Sequence, residues 1–499
     1  MVRQEPDTQG FTTRVAVCCD TVLPQVGADT AAAVRQVRHR LDAPVCLAVA
    51  GRLNAGKSTL VNALVGRRVA PTAPVECTRL VTRYRYGTTD RVEVVDRAGA
   101  RTAVPVDDDT LVPQRVPVPW AQVAYLDVTV TSDRLRQVTV VDTPGLASTD
   151  RAVSDTARRW LHGAVDADSA AAVDAADAVL HVLTQAVRAD DVAALAAAGD
   201  PLTAVGILSK IDTLVGAGED PWPVAQALAG QQARLLAHVV ADVVPAVGLL
   251  AETTRTGGLT AADVAALRAL ATLPAGQRLL LTASTDWFTG RDAPVPADVR
   301  HRLLRLLDLH GVGLAVTWLA ADPDVDSATL IERLAWASGL RQVEHRVDEV
   351  VRQRADVIKA GRAVEALQQL AGRATDPTDR AVLTDAVEEL LAEPRQHRLR
   401  LVQAARQVTT GRVGLPERMR RELTRLATST DARWILDTGD VDTGDVDTDG
   451  LAAAAVAAAG RWRSFAVGAA TPAQARVAHL THRGFHLLAQ QVRAGAGGT

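Results

Sequence analysis

The sequence predicts an α/β fold with a mixed, mainly parallel sheet, followed by an elongated α-helical remainder. Three observations predict it. The continuous apolar run Val45-Cys-Leu-Ala-Val-Ala50 leads through Gly51-Arg-Leu-Asn-Ala-Gly-Lys-Ser58 into a helical pattern from Lys57 to Val65, which reads as strand, glycine-rich turn and helix. From 45 to about 290, apolar strand-like runs alternate with helical segments, as in a doubly wound sheet. Beyond about 291 the strand signal stops and helical periodicity takes over.

Taken in order, residues 11 to 42 carry Val15, Val22, Val26, Ala33, Val37 and Leu41 at helical spacing, broken near Pro24 and Gly27. They predict one or two helices that pack on a distant part of the chain, so residues 1–44 are assigned to a neck. Within the 45–290 domain, Leu80 to Tyr86, Arg91 to Val95 and Tyr125 to Thr131 alternate as strands. Val138 to Val141, Ala178 to Leu183 and Ala204 to Leu208 follow as apolar strands, and Pro105 to Trp120 is a proline-rich surface excursion. Residues 291–499 read as helices over 296–321, 327–373, 377–392, 396–410, 416–429 and 451–494. An apolar stripe from Leu340 through Val343, Val347, Val350 and Val351 to Ala355 and Ile358 predicts one helix of about 50 Å if it continues to Ala371.

The 499 residues allow two to four domains, and a net charge of −3 with 23% charged and 47% hydrophobic residues gives no global basic signal for nucleic acid. Cys18, Cys19, Cys46 and Cys77 have neither zinc-site nor disulfide-framework spacing, which predicts reduced thiols and a cytoplasmic setting. The first residues lack the pattern of a signal peptide. The best candidate span, Leu235 to Ala251, is interrupted by His238, Asp242 and Pro245, so a membrane would be met peripherally.

The chemistry concentrates in a few motifs. Gly51, Asn54, Ala55, Gly56, Lys57, Ser58 and Thr59 form the phosphate-binding set: backbone N–H groups and the positive end of the helix dipole face the phosphates, and the glycines permit close approach. Lys57 would bridge β- and γ-phosphate oxygens, and the Ser58 hydroxyl would ligate Mg²⁺. Only three lysines occur among 55 lysines plus arginines. Two of them, Lys57 and Lys210, fall in nucleotide motifs, where a compact ammonium or an alkyl stem is needed and a guanidinium fork is the wrong shape. Asp142-Thr-Pro-Gly145 supplies the second acidic residue, Asp142 on a Mg²⁺-bound water and the Gly145 N–H on the γ-phosphate. Thr78, directly before a strand, is the preferred second hydroxyl on Mg²⁺, with Thr72 the alternative. Ser209-Lys-Ile-Asp212 is one residue from [NT]KxD: the Asp212 carboxylate accepts from N1–H and the 2-amino group of guanine, and the Lys210 stem covers the ring, which selects GTP over ATP. Val243 to Gly248 would offer backbone N–H groups, those of Val247 and Gly248, to guanine O6. The catalytic residues are then Lys57, Thr78 and Asn54.

Together with the long insert between Thr78 and Asp142 and the helical remainder, these motifs resemble the dynamin superfamily, nearest to bacterial dynamin-like proteins of the isoniazid-inducible IniC type of mycobacteria. Leu60-Val-Asn-Ala-Leu-Val-Gly66, Ala70-Pro-Thr72, Val244-Pro-Ala-Val-Gly-Leu-Leu250 and Ser338-Gly-Leu340 extend the likeness over residues 45 to 370. The resemblance implies a GTPase head on a helical neck and trunk, self-association through heads, and membrane remodelling by a lipid-binding tip. It also implies a paralogous dynamin-like partner. Two positions depart from the pattern: Leu53 where eukaryotic dynamins carry Gln, and Val247 where a serine is usual. Asn54 resembles the ligand that seats K⁺ in potassium-activated GTPases, which makes K⁺ a candidate for offsetting transition-state charge here.

Residues 395 to 425 hold arginines 395, 398, 400, 406, 412, 418, 420, 421 and 425 against only Glu417 and Glu422. With the turn Thr410-Gly-Arg-Val-Gly-Leu-Pro416, in which Val413 and Leu415 would dip between headgroups, this segment predicts contact with an anionic lipid surface. The duplicated Asp437-Thr-Gly-Asp-Val-Asp-Thr-Gly-Asp-Val446 reads as linker. Asp445, Asp447, Asp449 and Gly450 begin like an EF-hand, but Val456 stands at the bidentate position. The function expected is GTP hydrolysis driving membrane remodelling, fission or fusion, at the inner face of the cell membrane. A ribosome- or RNA-associated GTPase and a GTP-gated scaffold are the alternatives, and the absence of a recognisable RNA module favours the first.

Overall fold

A computed structural model describes residues 10–52, 54–71, 80–105, 111, 116, 118–119, 122–143, 176–185, 187, 203–216, 219–236, 239–349, 355–392, 397–409, 411–429, 431–436 and 448–496. The chain divides into two compact units, one of residues 44–351 and one formed by 1–43 with 352–499.

The first unit is built on nine strands: β1 (Val45–Gly51), β2 (Thr82–Tyr86), β3 (Arg91–Asp96), β4 (Arg101–Val104), β5 (Val123–Val130), β6 (Val138–Asp142), β7 (Ala178–Leu183), β8 (Ala204–Leu208) and β9 (Val243–Pro245). Their order is β4-β3-β5-β2-β6-β1-β7-β8-β9. The run β6-β1-β7-β8-β9 is parallel throughout, β2 turns antiparallel against β6, and β3 and β4 add an antiparallel edge. The sheet is therefore mixed and mainly parallel. The apolar runs read from sequence are the central strands, with β1, β7 and β8 almost wholly buried, as a sheet covered on both faces requires. Strand β4 was not anticipated, because Arg101-Thr-Ala-Val104 is short and its first three residues are exposed. Most of 105–120 and all of the 437–447 linker lie outside the described residues.

Helix Ala297–Ala321 packs on Gly248–Arg255: a Cβ at Gly311 would stand 2.4 Å from Leu250. It is interrupted at Asp308 (φ 54°, ψ 179°), and the Thr253 hydroxyl donates to the Leu306 carbonyl at 2.6 Å just before the break. Among the described residues it is also a helix long and apolar enough to cross a membrane, whereas the sequence alone predicts no spanning run and offers the interrupted 235–251 segment as the best candidate. Leu303, Leu306, Leu307, Val312, Ala315 and Val316 are nonetheless buried within this unit, so the helix serves its core. The helices between Ala297 and Val347, read from sequence as the beginning of the neck, fall in the same unit as the sheet. The helix expected over 340–371 is described as Leu340–Val347 and Ala355–Arg373, which fall in different units, and residues 350–354 between them lie outside the described residues.

The second unit is helical. Its N-terminal helices Phe11–Val22 and Ala28–Asp42 are capped by carboxylates from far along the chain. Asp356 accepts from the Phe11 N–H at 2.6 Å and the Thr12 N–H at 2.9 Å, and Asp379 accepts from the Gly27 N–H at 2.9 Å and the Thr30 hydroxyl at 2.6 Å. These caps satisfy donors that a helix start leaves open. The 451–494 pattern resolves into Thr448–Val467 and Pro472–Ala496. The expected lipid-inserting turn is different in one respect. Val413 is buried, its N–H donates to Gln407 O at 3.0 Å, and Gln474 Nε2 donates to Gly414 O at 2.6 Å. Val413 is a core residue, which removes it from any membrane contact.

Candidate nucleotide site

The loop between β1 and Lys57–Val65 is shaped by backbone geometry. Gly51 (φ 147°) sits where a Cβ would meet Val182 O at 2.5 Å, and Gly56 (φ 101°) where it would meet Ser209 Oγ at 2.9 Å. No side chain fits at either position. Asn54 takes the left-handed conformation at φ 60°, which an Asn tolerates better than most residues, and its side chain is exposed at the loop tip.

Lys57 is buried, and its Nζ donates to Arg52 O at 2.8 Å, strapping the loop. Burial pulls its pKa below the ordinary range while the Asp142 charge pushes the other way. Ser58 Oγ lies 3.3 Å from Asp142 Oδ2, and Asp142 Oδ1 is buried with no hydrogen-bond partner among the described residues. Burial raises the Asp142 pKa to about 6, against Lys57 and Ser58. A hydroxyl beside an orphaned carboxylate oxygen fits a hard divalent cation held through water, so Ser58 and Asp142 suit Mg²⁺. Thr143 fixes the motif to the loop strand, its N–H and hydroxyl both donating to Val49 O at 3.2 and 2.9 Å.

On the other side, Ser209 N–H donates to Leu183 O at 2.9 Å, which sets Ser209 against Gly56. Lys210 is exposed with φ 58°, the conformation that lets the chain turn from β8 towards Asp212. Burial raises the Asp212 pKa and Asp308 adds to it, while His310 and Lys210 oppose. Asp212, Asp308, His310, Trp222 and Trp336 line a neighbouring cavity of about 830 Å³. In the last motif the Val247 N–H is already committed to Ser338 O at 2.9 Å. Gly248, 3.6 Å from Thr59 by its built Cβ, is the residue of that pair that faces the phosphate-loop helix. Leu53, Thr72, Thr78, Gly145 and Leu146 lie outside the described residues.

Two residues were not singled out for this site from sequence. Asn62 has every side-chain group engaged: Nδ2 donates to Ala70 O and Glu252 Oε1, both at 2.9 Å, and Oδ1 accepts from the Val69 and Ala70 N–H groups at 2.9 and 2.8 Å. It ties the phosphate-loop helix to the segment leading into 72–79 and to helix Gly248–Arg255. His181 is the sole polar residue of Ala178-Val-Leu-His-Val-Leu183, and burial with the Lys57 charge lowers its pKa to about 4. That lone histidine in an apolar strand was the available signal.

Residues 47–203 match the Dynamin family. Isoniazid-induced protein IniC of Mycobacterium tuberculosis, strain CDC 1551 / Oshkosh, is 34% identical over 371 residues, which are 72% of this chain and 73% of that protein. The chain belongs to the dynamin family. The same protein in strain ATCC 25618 / H37Rv gives the same figures. An uncharacterized protein in the xynA 3′ region of Caldicellulosiruptor sp. is 29% identical over 141 residues, 28% of this chain and 32% of that one. A solved structure described as an oligomerised bacterial dynamin pair, with a mechanism for long-range sensing and tethering of membranes, covers 99% of this chain and 92% of its own at 11% identity and a TM-score of 0.35. Dynamin-family proteins are GTPases, and the phosphate loop, Asp142 and the Ser209 to Asp212 segment are read from the sequence as the parts for that chemistry.

Proposed function

We propose that this chain hydrolyses GTP with Mg²⁺ and uses the cycle to bind and remodel anionic membrane from the cytoplasmic face. The observation that carries the reading is the convergence of Lys57, Ser58 and Asp142 at one end of the phosphate loop with Ser209 packed on Gly56 at the other. Lys57 supplies the positive charge for the β- and γ-phosphates, and Gly56 and its neighbours supply N–H donors at a helix start. Asp212 accepts from the two guanine donors, and the Gly248 N–H faces O6. Mg²⁺, when bound to Ser58 and Asp142 with Thr78, neutralises charge on the β- and γ-oxygens. In the same reading Asn54, exposed at the loop tip, would hold K⁺ when a second head covers the loop. Self-association through heads and a paralogous dynamin-like partner belong to the same reading, as does GDP as product. No nucleic-acid partner is needed.

The test is GTP turnover with and without anionic liposomes. Wild type is expected to hydrolyse GTP and co-sediment with liposomes, whereas Lys57→Ala loses hydrolysis. Turnover of Lys57→Ala within a few-fold of wild type would remove the phosphate-loop assignment.

A further inference from the structure

The fifth nucleotide segment is weakly rooted in the sheet. Strand β9 is three residues long, forms one edge and, among the described residues, pairs only with β8. Edge strands of this length have few ladder bonds to hold a register. Besides Asn62 and the helix Ala297–Ala321, which hold helix Gly248–Arg255, the stretch from Ser338 to Arg346 grips the segment at both ends and in the middle. At the N-terminal end, Arg346 Nε donates to Asp242 Oδ2 at 2.8 Å. In the middle, Ser338 O accepts the Val247 N–H at 2.9 Å. At the C-terminal end, Glu344 accepts from Arg255 NH2 at 2.5 Å, Arg255 being the last residue of the helix that Gly248 begins. Glu344 also accepts from Arg134 NH1 at 2.8 Å, beside the end of the phosphate-loop helix.

The local sequence explains how this is achieved. Ser338 and Gly339 (φ 74°) turn the chain between helices Ser327–Ala337 and Leu340–Val347 in two residues, and a Cβ at Gly339 would lie 2.5 Å from Trp222 and 2.8 Å from Pro245 O. The fully buried Ser338 locks the turn, its hydroxyl donating to Ala335 O at 2.6 Å and accepting from the Leu340 N–H at 3.2 Å. Leu340, Val343 and Val347 bury one face of the following helix, which leaves Glu344 and Arg346 to make the ion pairs.

We propose that Ser338, Glu344 and Arg346 are positioning residues for guanine binding. They fix the 242–255 segment so that Gly248 stays beside Ser209, whose Oγ a Cβ at Gly248 would meet at 3.9 Å, at the start of the Ser209 to Asp212 segment. This rests on the reading of Asp212 and Gly248 as base-binding residues. Among the described residues the brace bonds to Asp242, Val247, Arg255 and Arg134 and not to Lys57, Ser58 or Asp142, so its loss should act on the base and leave the phosphate loop intact.

The experiment measures dissociation of a fluorescent GDP from the full-length chain, together with GDP-over-ADP preference and melting temperature. Glu344→Ala is expected to release GDP roughly tenfold faster and to lose part of its guanine preference. Glu344→Gln, which keeps hydrogen bonding without charge, should fall between it and wild type. Arg346→Gln should behave like Glu344→Ala, and the exchange Glu344→Arg with Arg255→Glu should restore slow release. If the variants melt earlier yet release GDP at the wild-type rate with unchanged preference, the stretch is merely structural and the proposal is overturned. Asp212→Asn separates the two levels. Should it leave guanine preference intact, the base-site reading itself fails; should it abolish preference while the brace variants change nothing, only the brace fails.

Discussion

Asp127 shows what single residues contribute to this fold. It is fully buried on β5, yet accepts from Arg83 NH2 at 2.9 Å, Arg85 Nε at 3.0 Å and Arg101 NH1 at 2.8 Å. Burial alone would raise its pKa, but the guanidinium bonds outweigh it and hold the carboxyl at about 2 against the usual 3.8. A native pKa below the unfolded one means the stabilisation is complete above about pH 4 and is lost as pH falls towards 2. Asp127→Asn should therefore cost about 2 kcal/mol at pH 7 in urea titrations, with the gap to wild type closing between pH 4 and 2. An unchanged acid limb would show that the three arginines do not act on it. This network was not legible in the sequence, because Asp127 and its partners lie on three strands, β5, β2 and β4, whose pairing no local pattern reveals. The phosphate loop was legible for the opposite reason, since Gly51 to Ser58 is contiguous and its conformational demands are written in residue types. Residue patterns were less reliable where apolar character had two uses: Val413 looked like a membrane-dipping residue and is core.

At the scale of elements, strands and helices with strong periodicity came through almost intact. Lys57–Val65, Pro377–Ala392 and Ala178–Leu183 stand where the pattern placed them. An error arose where one periodicity spanned two elements, as over 451–494, because a break within a continuing apolar stripe leaves little compositional trace. The caps by Asp356 and Asp379 were also invisible, since an N-cap is ordinarily sought beside its helix and not some 350 residues away. Asp379→Ala is expected to destabilise the helical unit by about 1 kcal/mol, with lost helicity in residues 28–42. Amide exchange that stays unchanged there would show the Ala28–Asp42 helix to be held by packing alone. Asn62→Ala strands donors and acceptors on two other elements, so it should cost about 2 kcal/mol and weaken GDP binding as well. A normal melting temperature for that variant would mean water replaces the amide.

For the whole molecule, the contrast between an α/β unit and a helical unit was legible from where the strand pattern stops, although the residues following 290 still belong to the sheet-bearing unit. The proposed lipid contact also needs a narrower set of arginines than composition suggested. Arg406 donates to Glu365 at 2.8 Å and Arg398 is partly buried, so replacing them would disturb packing. Arg412, Arg418 and Arg421 are exposed. Their joint replacement by Glu should reduce co-sedimentation with anionic vesicles, at up to about 1 kcal/mol per arginine, without changing GTP turnover in vesicle-free solution. Equal sedimentation would place the membrane contact elsewhere. The scarcity of lysine has a separate consequence for covalent labelling. Lys57 is buried and Lys359 Nζ is bonded to Ala43 O, which leaves Lys210 as the exposed lysine. An amine-selective acylating reagent should therefore mark, besides the terminal amine, chiefly Lys210, beside the proposed guanine site. GDP should shield that position, so peptide mass spectrometry of the acylated chain, with and without nucleotide, becomes an occupancy gauge that needs no engineered tag.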